Sequence, residues 1–254
     1  MRVVVVNEGY VAVQQSSSQS RGFGEQERLF MSLADGMSHT MLQLARLSEQ
    51  AGMASRQRRE HWQLVRDLSQ ASLQLLESYV LTMRMQGGTA EPELAPVAVP
   101  SLLQETAHLL EPFARQLNVT LELDMPQRLV PIMSDRAVLQ SALLSLGQVF
   151  IAAQSQTDDE RGVVRLGAHM GRSGVIAGWY GRHLDLPTSV LSRARKLHGK
   201  ARQPIPEFTC GPTAGVFIAD SLLHSVAAQL HAARYHNATG LATTLPACQQ
   251  LRLV

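Results

Sequence analysis

Apolar residues recur along the chain in two periods. Leu29, Leu33, Met37, Met41, Leu44 and Leu47 are spaced by three and four, which places them on one helical face. The spacing predicts a helix over about 25–50, with Ala51-Gly52 as its stop. A second helical pattern runs over about 59–85. Trp62, Val65, Leu68, Ser72, Leu75, Tyr79 and Met83 share one face, with Leu64, Leu76 and Val80 beside it. At 1.5 Å per residue each helix is roughly 40 Å long. The segment between them is short, so an antiparallel hairpin is expected. A lone hairpin cannot bury stripes of this width, whereas two copies in a four-helix bundle can, which predicts a homodimer.

Ahead of the hairpin, the β-branched Val3 to Val6 and the run Tyr10 to Val13 flank Glu8-Gly9 and read as a short strand or hairpin. Residues 15–24 are polar and rich in Ser and Gly, as a flexible linker is. Behind it, residues 87–99 are rich in Gly, Pro and Ala and mark a boundary. Four segments result: an N-terminal strand and linker (1–24), the hairpin (25–86), a linker (87–99) and a C-terminal domain (100–254).

In that last domain the period alternates. Ser101 to Leu117 is helical, with Ser101 and Gln104 spaced as a capping box. Val119 to Asp124 alternates as a strand, and Asp135 to Ala153 is helical. Strands are expected at Val163–Ala168 and Gly174–Trp179, separated by Gly171-Arg-Ser-Gly174. A short helix at Pro187–Leu197 and a longer one at Thr213–Leu230 follow. Strands at Ala233–Tyr235 and Leu241–Leu245 close around Asn237-Ala-Thr-Gly240. The order describes an α+β sandwich with helices on one face of a mixed sheet.

Composition narrows the function classes. With 254 residues and 45% hydrophobic side chains the chain has ample material for a core. A net charge of +2 is too small to argue for nucleic acid. Cys210 and Cys248 form neither a disulfide framework nor a zinc pattern. Val3 to Val6 is too short for the core of a signal peptide, and no apolar run suggests membrane insertion, so a cytoplasmic location is expected. His224 and His231 lie seven apart on one predicted helix, too far for paired ligation, so no metal site is expected. Arg193 to Arg202 carries five basic residues and no acid. A solvated loop is its simplest reading, and a contact for an acidic partner face is the functional one. Arg56, Arg58, Arg59 and the acidic run Asp158-Asp159-Glu160 read as solvated turns.

A helical hairpin followed by an α/β sandwich resembles the histidine kinase catalytic core. Met37-Ser38-His39 followed by Thr40-Met-Leu-Gln43-Leu44 is similar to that family's phosphoacceptor box. Val99 to Asp135 resembles the opening helix, first strand and acidic turn of its ATP-binding domain, and Leu241 to Pro246 resembles the last strand. Together these stretches span about residues 25–247. The resemblance implies a fold of the histidine kinase ATPase type and a place in two-component signalling.

The nucleotide motifs depart from the family. Its second helix carries an asparagine pair, one of which holds magnesium. Aligned on Asp135, those positions fall near Ser145 and Val149, and valine has no oxygen to offer a hard cation. The acid that receives the adenine amino group is missing from Ala177-Gly-Trp-Tyr-Gly181. The final glycine motif survives only as Gly211-Pro-Thr-Ala-Gly215, where Pro212 lacks an amide hydrogen. The acid expected directly after the phosphoacceptor histidine is replaced by Thr40. The resemblance is therefore greatest to the branch of histidine phosphotransferases built on a degenerate kinase core. It implies no bound cofactor, with magnesium supplied by the partner.

At 100° per residue, His39 falls away from the Leu33–Met37–Leu44 face. Ser32, Asp35, Gln43 and Arg46 accompany it, with Leu42, three and four positions off or one turn further. Neutral imidazole is a nucleophile near pH 7, its unperturbed pKa being about 6.5. The family implies His39 as phosphoacceptor, with Thr40 beside it. Gln43 would orient the ring or a water, and Ser32, Asp35 and Arg46 would meet a receiver domain. Three readings follow. The first is a dimeric phosphotransferase that relays phosphate between response regulator receiver domains through His39. The second is a non-catalytic pseudokinase scaffold that binds a receiver or a kinase. The third is a divergent active histidine kinase.

Overall fold

The computed structural model describes residues 55–86, 88–126, 128–157, 162–182, 190–192, 194–195 and 212–248. The expected N-terminal strand, its linker and the first hairpin helix lie outside the described residues. In chain order the elements are α1 (Ser55–Gln86), β1 (Ala95–Val97), α2 (Val99–Gln116), β2 (Thr120–Asp124), β3 (Ile132–Ser134), α3 (Arg136–Gln154), β4 (Val163–Met170), β5 (Val175–Gly181), α4 (Pro212–Ser225), β6 (Leu230–Tyr235) and β7 (Ala238–Leu245).

Five strands form one sheet in the order β2-β4-β5-β7-β6. β2 runs parallel to β4 and the other pairs are antiparallel, so the sheet is mixed, as expected. Alternation along β4, β5 and β7 sends Val164, Leu166, Ala168, Val175, Ala177, Trp179, Leu241 and Leu245 to the inner face. There they are buried with the apolar residues of α2, α3 and α4. The outer face holds a smaller cluster of Tyr180, Ala238 and Ala242 under Tyr235. The sheet curls strongly across that face. His236, following one edge strand, approaches Asp124 on the opposite edge strand to 3.7 Å. Tyr235 stacks on His169 with centroids 5.0 Å apart.

Several boundaries differ from the sequence reading, each for a local reason. α2 has no capping box. Its N-cap is Ala98, which makes no side-chain bond, and Pro100 occupies the first turn, where a fixed φ and a missing N–H cost nothing. Ser101 lies one turn too late to cap, and its hydroxyl donates to Glu105 Oε1 at 3.3 Å. α4 stops at Ser225, short of Leu230. Ala227 takes a left-handed φ of +55° while Ala228 N–H donates to Leu223 O and Ala227 N–H to His224 O. That is a Schellman end built without glycine. The last hairpin turns at His236-Asn237, both with positive φ, and not over 237–240. Gly240 instead lies inside β7, where a Cβ would come within 2.6 Å of the Tyr180 ring.

The stretch expected as linker also contributes to the fold. β1 pairs antiparallel with β3, and Val97 and Val99 are buried. α1 begins at Ser55 and its C-terminal half joins the same core through Tyr79 and the half-buried Leu76, Leu81 and Met83. Trp62, expected on a packed face, is 62% exposed. Arg136–Gln154 is long and apolar enough to cross a membrane, contrary to the sequence reading, but it is the central core helix, with 67% of its apolar window buried.

Candidate functional site

α3 positions the site that the resemblance singles out. Asp135 caps it: Oδ1 accepts from Ala137 N at 2.9 Å and from Val138 N at 3.1 Å. The other oxygen, Oδ2, accepts from Glu93 N at 2.9 Å. One carboxylate therefore starts the helix and ties the incoming chain to it.

Ser145 and Val149 lie one turn apart on α3, 2% and 8% exposed. They face α4. A Cβ added at Gly215 would lie 2.5 Å from Val149 Cγ2 and 3.1 Å from Ser145 O. The surviving glycine of the last motif is thus where the backbone of α4 closes on α3, and helix packing accounts for it. The Ser145 hydroxyl is buried and finds no hydrogen-bond partner among the described residues.

Trp179, a residue the sequence reading named only within its motif, fills the space between β5 and α3. It is fully buried, and its indole N–H donates to Leu143 O at 2.8 Å. Gly147 makes room for it, since a Cβ there would come within 2.6 Å of the indole. Gly181 ends β5, the last residue of the stretch in which the resemblance leads one to expect an acid. Gly211, the first residue of the final glycine motif, lies outside the described residues.

The residues expected to carry phosphotransfer, His39, Thr40, Gln43, Ser32, Asp35 and Arg46, also lie outside the described residues. So do the acidic run and most of the basic run, whereas Arg56, Arg58 and Arg59, expected at a solvated turn, lie in the first turns of α1. Arg195 of the basic run is described, and it is engaged: its guanidinium donates to Leu230 O and stands 3.7 Å from Asp220. This ties it to β6 and α4. His224 is exposed at the end of α4, His231 is half-buried, and His236 approaches Asp124. Among the described residues no three His, Cys, Asp or Glu side chains converge on a point.

Burial perturbs the tyrosines. It pushes Tyr180 up to about 12, with a smaller push from Tyr235. Burial also raises Tyr235, reinforced by the charge of Asp124 and a hydrogen bond to it.

Sequence reasoning missed a groove of about 390 Å³ between α2 and β2, floored by Ala107, Ala114, Leu121 and Leu123. Its only advance sign was alanine in place of larger residues on one side of α2.

No family model matches the chain, and no curated protein matches it. Solved structures do. The histidine kinase ThkA, in a complex with the response regulator protein TrrA, is similar with a TM-score of 0.53 and 12% identity, over 88% of this chain and 61% of that one. Full-length ShkA in complex with AMPPNP is similar with a TM-score of 0.51 and 19% identity, over 91% of this chain and 46% of ShkA. The Acinetobacter baumannii histidine kinase AdeS gives 0.50 and 9% over 84% and 95%. The likeness is one of fold: the described α/β sheet and helices are arranged as in histidine kinase catalytic domains.

Proposed function

We propose that this protein is a histidine phosphotransferase of a two-component phosphorelay that works without ATP. The observation that carries the reading is Val149, buried against Gly215 and aligned by the resemblance near the asparagine that holds magnesium in the family. The residues present do not fit that group. Valine supplies no oxygen ligand, the stretch Ala177 to Gly181 supplies no acid for adenine, and Pro212 supplies no amide hydrogen. A phosphoryl group must then come from a partner. ThkA was solved with a response regulator, which supports a receiver domain as the class of that partner.

The chemistry asks little of this chain. A ring nitrogen of neutral His39 attacks the phosphorus of a receiver's aspartyl phosphate. The N–P bond forms as the acyl O–P bond breaks, and the aspartate carboxylate leaves. The reverse step loads a second receiver. In-line transfer demands positioning and charge neutralisation, and the receiver brings its own magnesium. Gln43 orients the ring, Thr40 flanks it without the acid of an active kinase, and Ser32, Asp35 and Arg46 meet the receiver face. Trp62, Leu73 and Val80 are exposed along α1, and they support a homodimer through the hairpin.

The test is transfer from a panel of phosphorylated receivers to the wild-type chain and to His39→Ala, with an ATP-only control. Label is expected on wild type and lost in the variant. Receiver binding without label points to the scaffold reading. Label from ATP alone overturns the proposal.

A further inference from the structure

β2 is an outer strand of the sheet. β4 pairs with one side of it, and among the described residues nothing pairs with the other. In a parallel strand, alternate residues turn both backbone groups to the same side. Thr120 N–H donates to Gly162 O at 2.8 Å, on the β4 side. Glu122 and Asp124 follow it, so Leu121 and Leu123 turn their N–H and C=O groups outward. Such a row is a template for another strand.

Beside this edge lies the groove of about 390 Å³, floored by Ala107, Ala114, Leu121 and Leu123 and rimmed by His108 and Arg115. Leu123 is 38% exposed. The opposite edge differs, because Arg195 donates to Leu230 O at the start of β6.

The chain contains one β-branched run for which the described sheet holds no strand, Val3-Val4-Val5-Val6. A two-stranded hairpin alone is marginal in water, so such a run needs a sheet to join. We infer that residues 3–6 add to the edge of β2 by main-chain hydrogen bonds to Leu121 and Leu123, with alternate valines in the groove. The inference rests on the hairpin of the proposed function. The predicted helix over 25–50, antiparallel to α1, would return the chain toward the Gln86 end, and α1 packs against α2, which lines the groove. Residues 14–24, fully extended, span up to roughly 36–40 Å.

Disulfide trapping in the full chain tests this. Leu123→Cys is combined in turn with Val3→Cys, Val4→Cys, Val5→Cys and Val6→Cys, with Cys210→Ser and Cys248→Ala as background. Trapping within one chain is expected at alternate positions. In a second measurement, Val4→Pro/Val6→Pro should speed amide exchange at Leu121 and Leu123 about tenfold, since proline removes the donors of the added strand. Absent trapping, unchanged exchange, or trapping only between copies each overturns the inference. Phosphotransfer and dimer mass measured on the same variants keep the two proposals apart. An untrapped chain that still transfers phosphate sinks the docked strand alone.

Discussion

Tyr180 lies fully buried on the outer face of the sheet, and its hydroxyl has no hydrogen-bond partner among the described residues. An unpaired buried hydroxyl is costly, so Tyr180→Phe is expected to stabilise the protein by about 1 kcal/mol at pH 7, read from urea unfolding. The same burial holds its ionisation near 12 while an unfolded tyrosine ionises near 10. Between those values the folded chain keeps a proton that the unfolded chain has lost. Stability from this group is fully present below pH 10 and falls as pH rises toward 12, by about 1.4 kcal/mol per unit. The phenylalanine variant should show a flatter alkaline slope, and an identical slope in both proteins would refute the assignment. Neither the burial nor the missing partner was legible in the sequence, because Trp-Tyr in a strand does not say which ring faces which layer. The outer face buries Tyr180 only because the sheet curls and Tyr235 packs over it, with centroids 5.1 Å apart.

Among the elements, α3 was the most legible. Asp135 before a long apolar run reads as an N-cap, and it is one. Its bond from Glu93 N joins groups 42 residues apart and leaves no local trace. Asp135→Ala removes all three bonds and should lower stability by about 1 kcal/mol. Asp135→Asn keeps an oxygen for the cap but offers an NH₂ group toward Glu93. It should cost less in unfolding yet speed proteolytic cutting in 88–94, and equal cutting in both proteins would argue that the linker is held by other contacts. Two of the misread boundaries share one cause. Ala227 at the end of α4 and His236 at the last turn take left-handed conformations that glycine or asparagine usually signals, so α4 lacked its usual stop and the turn begins one residue before Asn237.

For the whole molecule, the expected state is a dimer of about twice 27.8 kDa by light scattering. Trp62, Leu73 and Val80 are separated by 11 and 7 residues, which returns each to nearly the same angle around α1, and all three are exposed. Leu73→Asp places a charge in that stripe and should shift the mass toward the monomer while the α/β fold persists, since Leu73 does not belong to its core. A dimer unchanged by the substitution would move the interface off this face.

The sequence by itself determined the alternation of helix and strand in the C-terminal domain, the capped start of α3 and the absence of an oxygen ligand at Val149. These are local properties, written in periodicity and residue chemistry over a few turns. The histidine at position 39 and its polar neighbours are likewise a matter of sequence. Only the tertiary structure decided that Gly215 packs against Val149, that Trp179 fills the space under α3, that β1 closes on β3 and that Leu121 and Leu123 face an open groove. Each of those depends on residues far apart in the chain meeting across layers. Periodicity specifies which face of an element is apolar but not which distant element will cover it.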